Sequence, residues 1–303
     1  YDTLNLAGIA QKLTGVKTQV LVRLPVHLSA EFASKGFKGQ IEPSLMRLTY
    51  RCANGVITPS QGVAEDVLQL LGKVCPPVQV INNPTVTPEV FQQAQMPVEH
   101  PWFQPGEPPV IVSVGRLEDQ KDFPTLIRAF AKVRRSTIAR LVVVGEGSQR
   151  SQLEQMIQTL GLQQDVCFLG YHRNPHAYVA KASVFVLSSF REGFCNALTE
   201  AMAVGTPLVA TDCQSSPAEI LGYGEYGQLV PIGDEDAMAQ AILASLANPI
   251  APHILRQRAE AYSLDRITDQ YLETFDRYLN QTAMPIAISQ TQVLSMVGGA
   301  SPD

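Results

Sequence analysis

The sequence predicts an α/β protein of two domains, the second a complete parallel sheet with helices on both faces. Two observations lead there. From Val110 onward, short apolar and β-branched runs alternate with helical stretches, a succession that closes into a parallel sheet through right-handed crossovers. Upstream, residues 92 to 109 hold five prolines and little periodicity, which marks a linker. With 303 residues the chain has room for two domains of ordinary size. The expected division is residues 1–98 as the first domain and 99–262 as the second, followed by an amphipathic helix over 263–280 and a disordered tail over 281–303.

In chain order, residues 3 to 14 carry apolar residues at helical spacing and stop at Gly15. TQVLVRL follows as a strand, then a loop over residues 25 to 29 that holds His27. Residues 35 to 51 set Lys35, Lys38, Arg47 and Arg51 among Phe37, Leu45, Met46, Leu48 and Tyr50. Such a basic amphipathic face suits an anionic membrane surface or a solvated helix face. GVITPSQGVAEDVLQLLG reads as strand, cap and helix, with Ser60 at the N-cap. VQVI then runs as a strand into a turn at Asn83-Pro84.

Beyond the linker, VIVSVG is a strand, RLEDQKD a loop, FPTLIRAFAKV an amphipathic helix and ARLVVVG the next strand. SQLEQMIQTLG, VCFLG and NPHAYVAKA continue as helix, strand and short helix. KASVFVLSS is a strand buried on both faces, ALTEAMAVG a helix closed by Gly205, and TPLVAT the following strand. Asp234-Glu235-Asp236 opens a later helix at the end its dipole favours for carboxylates. Glu192 and Gly193 fall in the loop past the carboxyl end of KASVFVLSS, where parallel sheets place their ligands. The next helix offers its first N–H groups to an anion, and Glu200 sits about a turn into it.

Composition removes several function classes. A net charge of −5 argues against an extended nucleic-acid surface. No apolar run approaches the roughly 18–20 residues that cross a bilayer, and no signal peptide is visible. The five cysteines form no C-x-x-C pair and sit mostly in apolar contexts, which suits reduced, buried thiols in a cytosol. His172 and His176 are four apart, but Pro175 interrupts them and no third metal ligand is evident. Gly145-Glu146-Gly147-Ser148 has Arg150 where the third glycine of a dinucleotide fingerprint would stand, which disfavours a nicotinamide site.

The segment Glu192-Gly193-Phe194 followed by Glu200 resembles the E-G-F-x-x-x-x-x-E element of the retaining nucleotide-sugar glycosyltransferases of family four, the group-one type. Their architecture is GT-B, two Rossmann-like domains facing a cleft. The resemblance covers roughly residues 15 to 280 and implies a first domain, residues 1–98, that is N-terminally incomplete, consistent with a chain that starts at Tyr1, and a helix over 263–280 that crosses back to it. It implies that Glu192, Gly193, Phe194, Cys195 and Asn196 hold the donor sugar. Backbone at Leu198 and Thr199 then faces the diphosphate, and Glu200 takes the ribose. Gly115-Arg116 and Lys121 resemble the family's G-R-x-x-x-x-K element. Two fixed cations can stabilise a departing diphosphate without a metal, Arg as a bidentate fork and Lys as a movable charge. Gly145 and Gly147 match the wall of the nucleotide pocket and Val166 the backbone that reads the base. His27 matches a histidine that faces the donor sugar. Ser216 stands where the family's G-P-x-E loop has glycine, so a positive φ there would be strained.

The activity so implied is transfer of a sugar, from a UDP-linked donor by preference, to a glycan or lipid-linked acceptor with retention of configuration. The nucleotide sugar is a substrate, and no cofactor or metal is expected. The expected location is the cytoplasm, with peripheral contact at the inner face of the membrane. A nucleotide-sugar-binding module without turnover is the competing reading.

Overall fold

The computed structural model describes residues 18–34 and 37–280; the helix expected over residues 3 to 14 and the tail beyond residue 280 lie outside them. Two parallel sheets form. The smaller contains β1 (Leu21–Arg23), β2 (Gly55–Thr58) and β3 (Val78–Val80) in that order. Its helices are α1 (Leu28–Ser34), α2 (Phe37–Thr49) and α3 (Gln61–Leu71). A helix at α1 was not expected, since residues 25 to 29 read as a loop. Its start is fixed by a distant residue: the buried Asp66 of α3 accepts from the Leu28 N–H (2.6 Å) and the Ser29 N–H (3.1 Å) and from the Ser29 hydroxyl. A cap supplied from 37 or 38 residues away leaves no local signal. Ser60 caps α3 as expected, accepting from Val63 N–H at 3.3 Å. In α2, Arg47 donates to the Leu70 carbonyl at 2.7 Å, so part of the basic face is engaged within the protein.

Helix α4 (Pro88–Ala94) leads into the larger unit. There β4 (Val110–Val114), α5 (Phe123–Ser136), β5 (Arg140–Val144), α6 (Arg150–Thr159) and β6 (Val166–Gly170) follow one another. Then come α7 (His176–Ala180), β7 (Val184–Leu187), α8 (Asn196–Val204), β8 (Leu208–Thr211), α9 (Pro217–Ile220) and β9 (Gln228–Val230). Helices α10 (Glu235–Ala247), α11 (Pro252–Ala259) and α12 (Leu264–Asn280) follow. The six strands are all parallel, in the order β6-β5-β4-β7-β8-β9.

Strand alternation divides the core. Ile111, Val143, Val184 and Val186 face α5 and α10, meeting Leu126, Phe130, Met238 and Ile242. Val112, Val142, Phe185 and Leu187 face the opposite layer, meeting Leu198, Met202, Leu255 and Tyr262. Each fully buried aliphatic or aromatic side chain is worth about 1.5–3 kcal/mol relative to exposure, so neither helical layer can be removed without losing the sheet. Val86 and Val90 belong to the second layer, and Trp102 and Phe103 pack against it. The proline-rich stretch therefore lies against the larger sheet.

Two crossings join the units. Val86 N–H donates to the Tyr262 carbonyl (3.1 Å) and Leu264 N–H to the Val86 carbonyl (3.1 Å). Helix α12 then returns to the smaller sheet, where Ile267 packs on Ile57 and Ile81. No described helix is long and apolar enough to cross a membrane alone.

Gly145 has φ +149°, and a Cβ there would collide with the Gly115 carbonyl. Gly145→Ala is expected to destabilise the protein by at least about 2 kcal/mol through backbone strain; a urea midpoint equal to that of the parent would contradict this packing.

Candidate active site

The sheet order locates the site. Strand sequence reverses between β4 and β7, so the loops leaving their carboxyl ends diverge to opposite faces and leave a crevice between them. The β4 loop supplies Gly115, Arg116 and Lys121; the β7 loop supplies Glu192 and Gly193. Across the crevice Lys121 Nζ lies 2.5 Å from Glu192 Oε1, both side chains largely withdrawn from solvent at 17% and 8% exposure. Ser189 Oγ donates to the same carboxylate oxygen at 2.6 Å. The loop is tied down twice more, by Ser188 Oγ to the Lys121 carbonyl (2.7 Å) and Thr211 Oγ1 to the Ser189 carbonyl (2.6 Å). Asp122, next to Lys121, has φ +45° and caps α5 through Thr125 N–H. Neither serine was singled out as a site residue, although both lie in the motif's own strand end.

Neighbouring loops interlock with this pair. Leu117 N–H donates to the Glu146 carbonyl (2.9 Å) and Gln149 N–H to the Leu117 carbonyl (3.0 Å), so Gly145 and Gly147 press against residues 115 to 117. Arg116 is exposed on this loop. Phe194 is buried and tilted against Tyr262 with ring centroids 5.8 Å apart, so it offers the site only its backbone. Cys195 is buried too. Its N–H donates to Ser216 Oγ (3.0 Å), and that hydroxyl lies 3.3 Å from its Sγ. Ser216 has φ −128°, so serine in place of glycine carries no strain and instead ties two loops together.

The smaller unit reaches the same loop. A Cβ at Gly193 would collide with the Pro25 carbonyl, and Ser60 Oγ donates to the Gly193 carbonyl at 3.1 Å. His27, two residues past Pro25, stands beside Asp66 (Nδ1 to Oδ1, 3.5 Å). Asn83 Nδ2 donates to Asn196 Oδ1 (2.8 Å), while Arg23 donates to Asn83 Oδ1 (2.6 Å), linking β1, the crossing segment and the start of α8.

Three expected site positions are engaged in secondary structure. Val166 begins β6, paired with Leu141 near the start of β5, and so lies at the amino edge. At about 3.3 Å per residue the carboxyl edge is some 13 Å away, and Gly170 and Tyr171 stand there instead. The Leu198 and Thr199 N–H groups already donate to the Cys195 carbonyl, at 3.0 and 3.2 Å. The turn that starts α8 closes on itself there.

Glu200 opens on a cavity of about 420 Å³ shared with Asn83, Thr85, Thr87, His176 and Asn196, whose walls include neither Lys121 nor Glu192. Burial pushes its carboxyl up to about 7 and pushes the nearby His176 imidazole down; the two are 3.9 Å apart. A larger cavity, about 900 Å³, lies at the amino ends of β4, β7 and β8 beside Pro109, Ser183 and Pro207. Its one cation, Arg256, is engaged with the Val204 carbonyl, and the sheet's ligand edge is the other one. Among the described residues no three His, Cys, Asp or Glu side chains converge to hold a metal.

Residues 99–262 match the family model described as glycosyl transferases group 1, which covers more than half of the chain. The chain belongs to this family. Among curated relatives, this chain is 29% identical over 242 residues to an N-acetylgalactosaminyltransferase of Campylobacter jejuni whose name gives a diphospho-undecaprenol-linked sugar as its acceptor. It is 32% identical over 233 residues to the lipopolysaccharide core biosynthesis glycosyltransferase LpsE of Rhizobium meliloti. These alignments take in 80% and 75% of this chain but 64% and 66% of the relatives, so the chain spans about two thirds of their length. Among solved structures it superposes on the outer core galactosyltransferase WaaB (TM-score 0.71, 21% identity, 91% of this chain and 73% of that one). It also superposes on HepE of Anabaena in complex with UDP and glucose (TM-score 0.72, 22% identity, 91% and 76%). The fold is that of the GT-B glycosyltransferases.

Two measurements check the site's electrostatics. Lys121→Met leaves Glu192 buried without its cation and is expected to cost ~3–5 kcal/mol. Glu192→Gln in the same chain restores most of it, and strictly additive losses would contradict the pairing. For Glu200, the raised folded value means the native state keeps a proton that the unfolded chain has lost. Stability therefore falls as pH rises from 4.5 towards 7 and then levels, by on the order of 3 kcal/mol. Glu200→Gln is expected to flatten that slope in urea titrations; an unchanged slope would show that another group causes it.

Proposed function

We propose that this group 1 transferase moves a sugar from a nucleotide-diphosphate donor, UDP-linked by preference, to a hydroxyl of a glycan or lipid-linked acceptor. The proposal includes retention of configuration and no requirement for a metal. The observation that carries it is the Lys121–Glu192 pair, set at the crevice between β4 and β7 with Arg116 on the same loop as the lysine. Bond breaking at the anomeric carbon leaves negative charge on the diphosphate. Lys121 is a movable charge beside that position and Arg116 an exposed second cation, so the two can share the growing charge.

Glu192 is suited to hold sugar hydroxyls rather than attack carbon. One of its oxygens is already occupied by Lys121 and Ser189, which fixes the carboxylate and lowers its value as a nucleophile. Attack by the acceptor on the face the diphosphate leaves then accounts for retention, with the leaving phosphate taking the acceptor proton. Glu200 shares a cavity with Asn196 and His176, a polar setting that would suit the ribose diol. The diphosphate-linked lipid in the name of the Campylobacter jejuni relative supports a lipid-linked acceptor, presented at the inner face of the membrane.

Arg116→Ala is expected to lower transfer from UDP-sugars by roughly 10²-fold or more while the urea midpoint stays close to that of the parent; Glu192→Gln is expected to lower transfer as far and, because it leaves Lys121 without its partner, to lower the urea midpoint as well. Product anomers followed by proton NMR should keep the donor configuration, with chelator present. Parent-like rates in both variants, or inverted product, would refute the assignment; UDP-sugar binding without turnover would leave a binding module.

A further inference from the structure

A cleft of about 380 Å³ lies between the loops of the two units, next to the contact of Pro25 with Gly193 and so beside the loop that carries Glu192. Its walls include His27, Glu65 and Gln69 from the smaller unit and Asp212, Gln214 and Tyr223 from the larger. Among the described residues no lysine or arginine lines it. Two of its carboxylates serve the fold: Asp66 caps α1, and Glu219 accepts from Gln61 N–H (3.0 Å) and Asn82 Nδ2 (3.2 Å). Glu65, Asp212, Gln69 and Gln214 remain as hydroxyl-binding groups at its mouth, and all but Glu65 and Gln69 come from the half that carries the donor loop.

Tyr223 is unusual twice over. It stands at φ 56°, ψ 33°, a left-handed conformation that bulky residues avoid, and its side chain is 82% exposed. Neither burial nor backbone preference accounts for an aromatic ring there, whereas an exposed ring at the edge of a cleft can stack against the C–H face of a pyranose. The carboxylates beside it disfavour an anionic group by like-charge repulsion.

We propose that this cleft holds the accepting sugar, that Tyr223 is its stacking platform, and that this sugar is uncharged, carrying neither phosphate nor carboxylate. The proposal rests on the transferase reading and deepens it by naming the acceptor class. The sugar's hydroxyls would donate to Asp212 and Glu65 and accept from the two glutamine amides. His27, two residues past the Pro25 that meets Gly193, brings this cleft up to the loop where the donor would be held.

The test uses the full chain saturated with UDP, titrated with the methyl glycosides of glucose, galactose and N-acetylglucosamine and with the 6-phosphates of the same sugars, by saturation-transfer NMR. At least one neutral glycoside is expected to bind and its phosphate to bind at least tenfold more weakly. Tyr223→Gly, which suits the left-handed backbone, should weaken that binding about tenfold, Tyr223→Phe should preserve it, and UDP affinity should be unchanged in both. Equal or better binding of the phosphates, no neutral glycoside bound, or undiminished binding in Tyr223→Gly would each overturn the proposal. Failure of UDP itself to bind would count against the transferase reading, while glycoside binding lost in Tyr223→Gly would still support the cleft.

Discussion

Lys121 and Glu192 are a charge pair assembled from two loops 71 residues apart, and most of the surrounding structure serves to keep them together. Withdrawing two ions from water costs several kcal/mol each, and their attraction offsets this only where geometry is good and the remaining lone pairs are satisfied. The neighbouring hydroxyls answer that need: Ser189 on the carboxylate, with Ser188 and Thr211 holding the two loops at the spacing the pair requires. The loop glycines matter for the same reason. Gly145, Gly147 and Gly193 are places where a Cβ would force one loop off its neighbour.

The pair sits where it does because of chain topology. Helices cover both faces of a sheet whose strands are buried on both sides, so a ligand can reach it only at an edge. The reversal of strand order between β4 and β7 opens one crevice at that edge. The smaller unit then closes over it through Pro25 and Ser60 and through the Arg23–Asn83–Asn196 chain of hydrogen bonds. Groups of the smaller and larger units thus meet across Gly193, a residue with no side chain to keep them apart.

Much of this was legible in the sequence, and the failures have physical causes. Continuous apolar runs such as VFVL and LVVV name buried strands whatever their partners. Caps at Ser60, Gly205 and Asp234 are local chemistry and were read correctly. Lys121 and Glu192 were identified as site residues, but for separate roles; that they bond to each other depends on which loops the topology makes neighbours. Val166 opens β6 at the amino edge, which its place at the start of VCFLG already implied once the sheet was read as parallel. The start of α1 was missed because Asp66 caps it across tertiary space. Leu198 and Thr199 carry no mark of whether their amides face a ligand or close a first turn, and here they close the turn.

A crystal structure of the protein with an unhydrolysed UDP-sugar tests the central claim most directly. The account predicts diphosphate oxygens within hydrogen-bond reach of Lys121 Nζ, and sugar hydroxyls on Glu192, in the crevice between β4 and β7. Donor bound instead in the cavity at the amino ends of β4, β7 and β8, with the Lys121–Glu192 pair untouched, would contradict it.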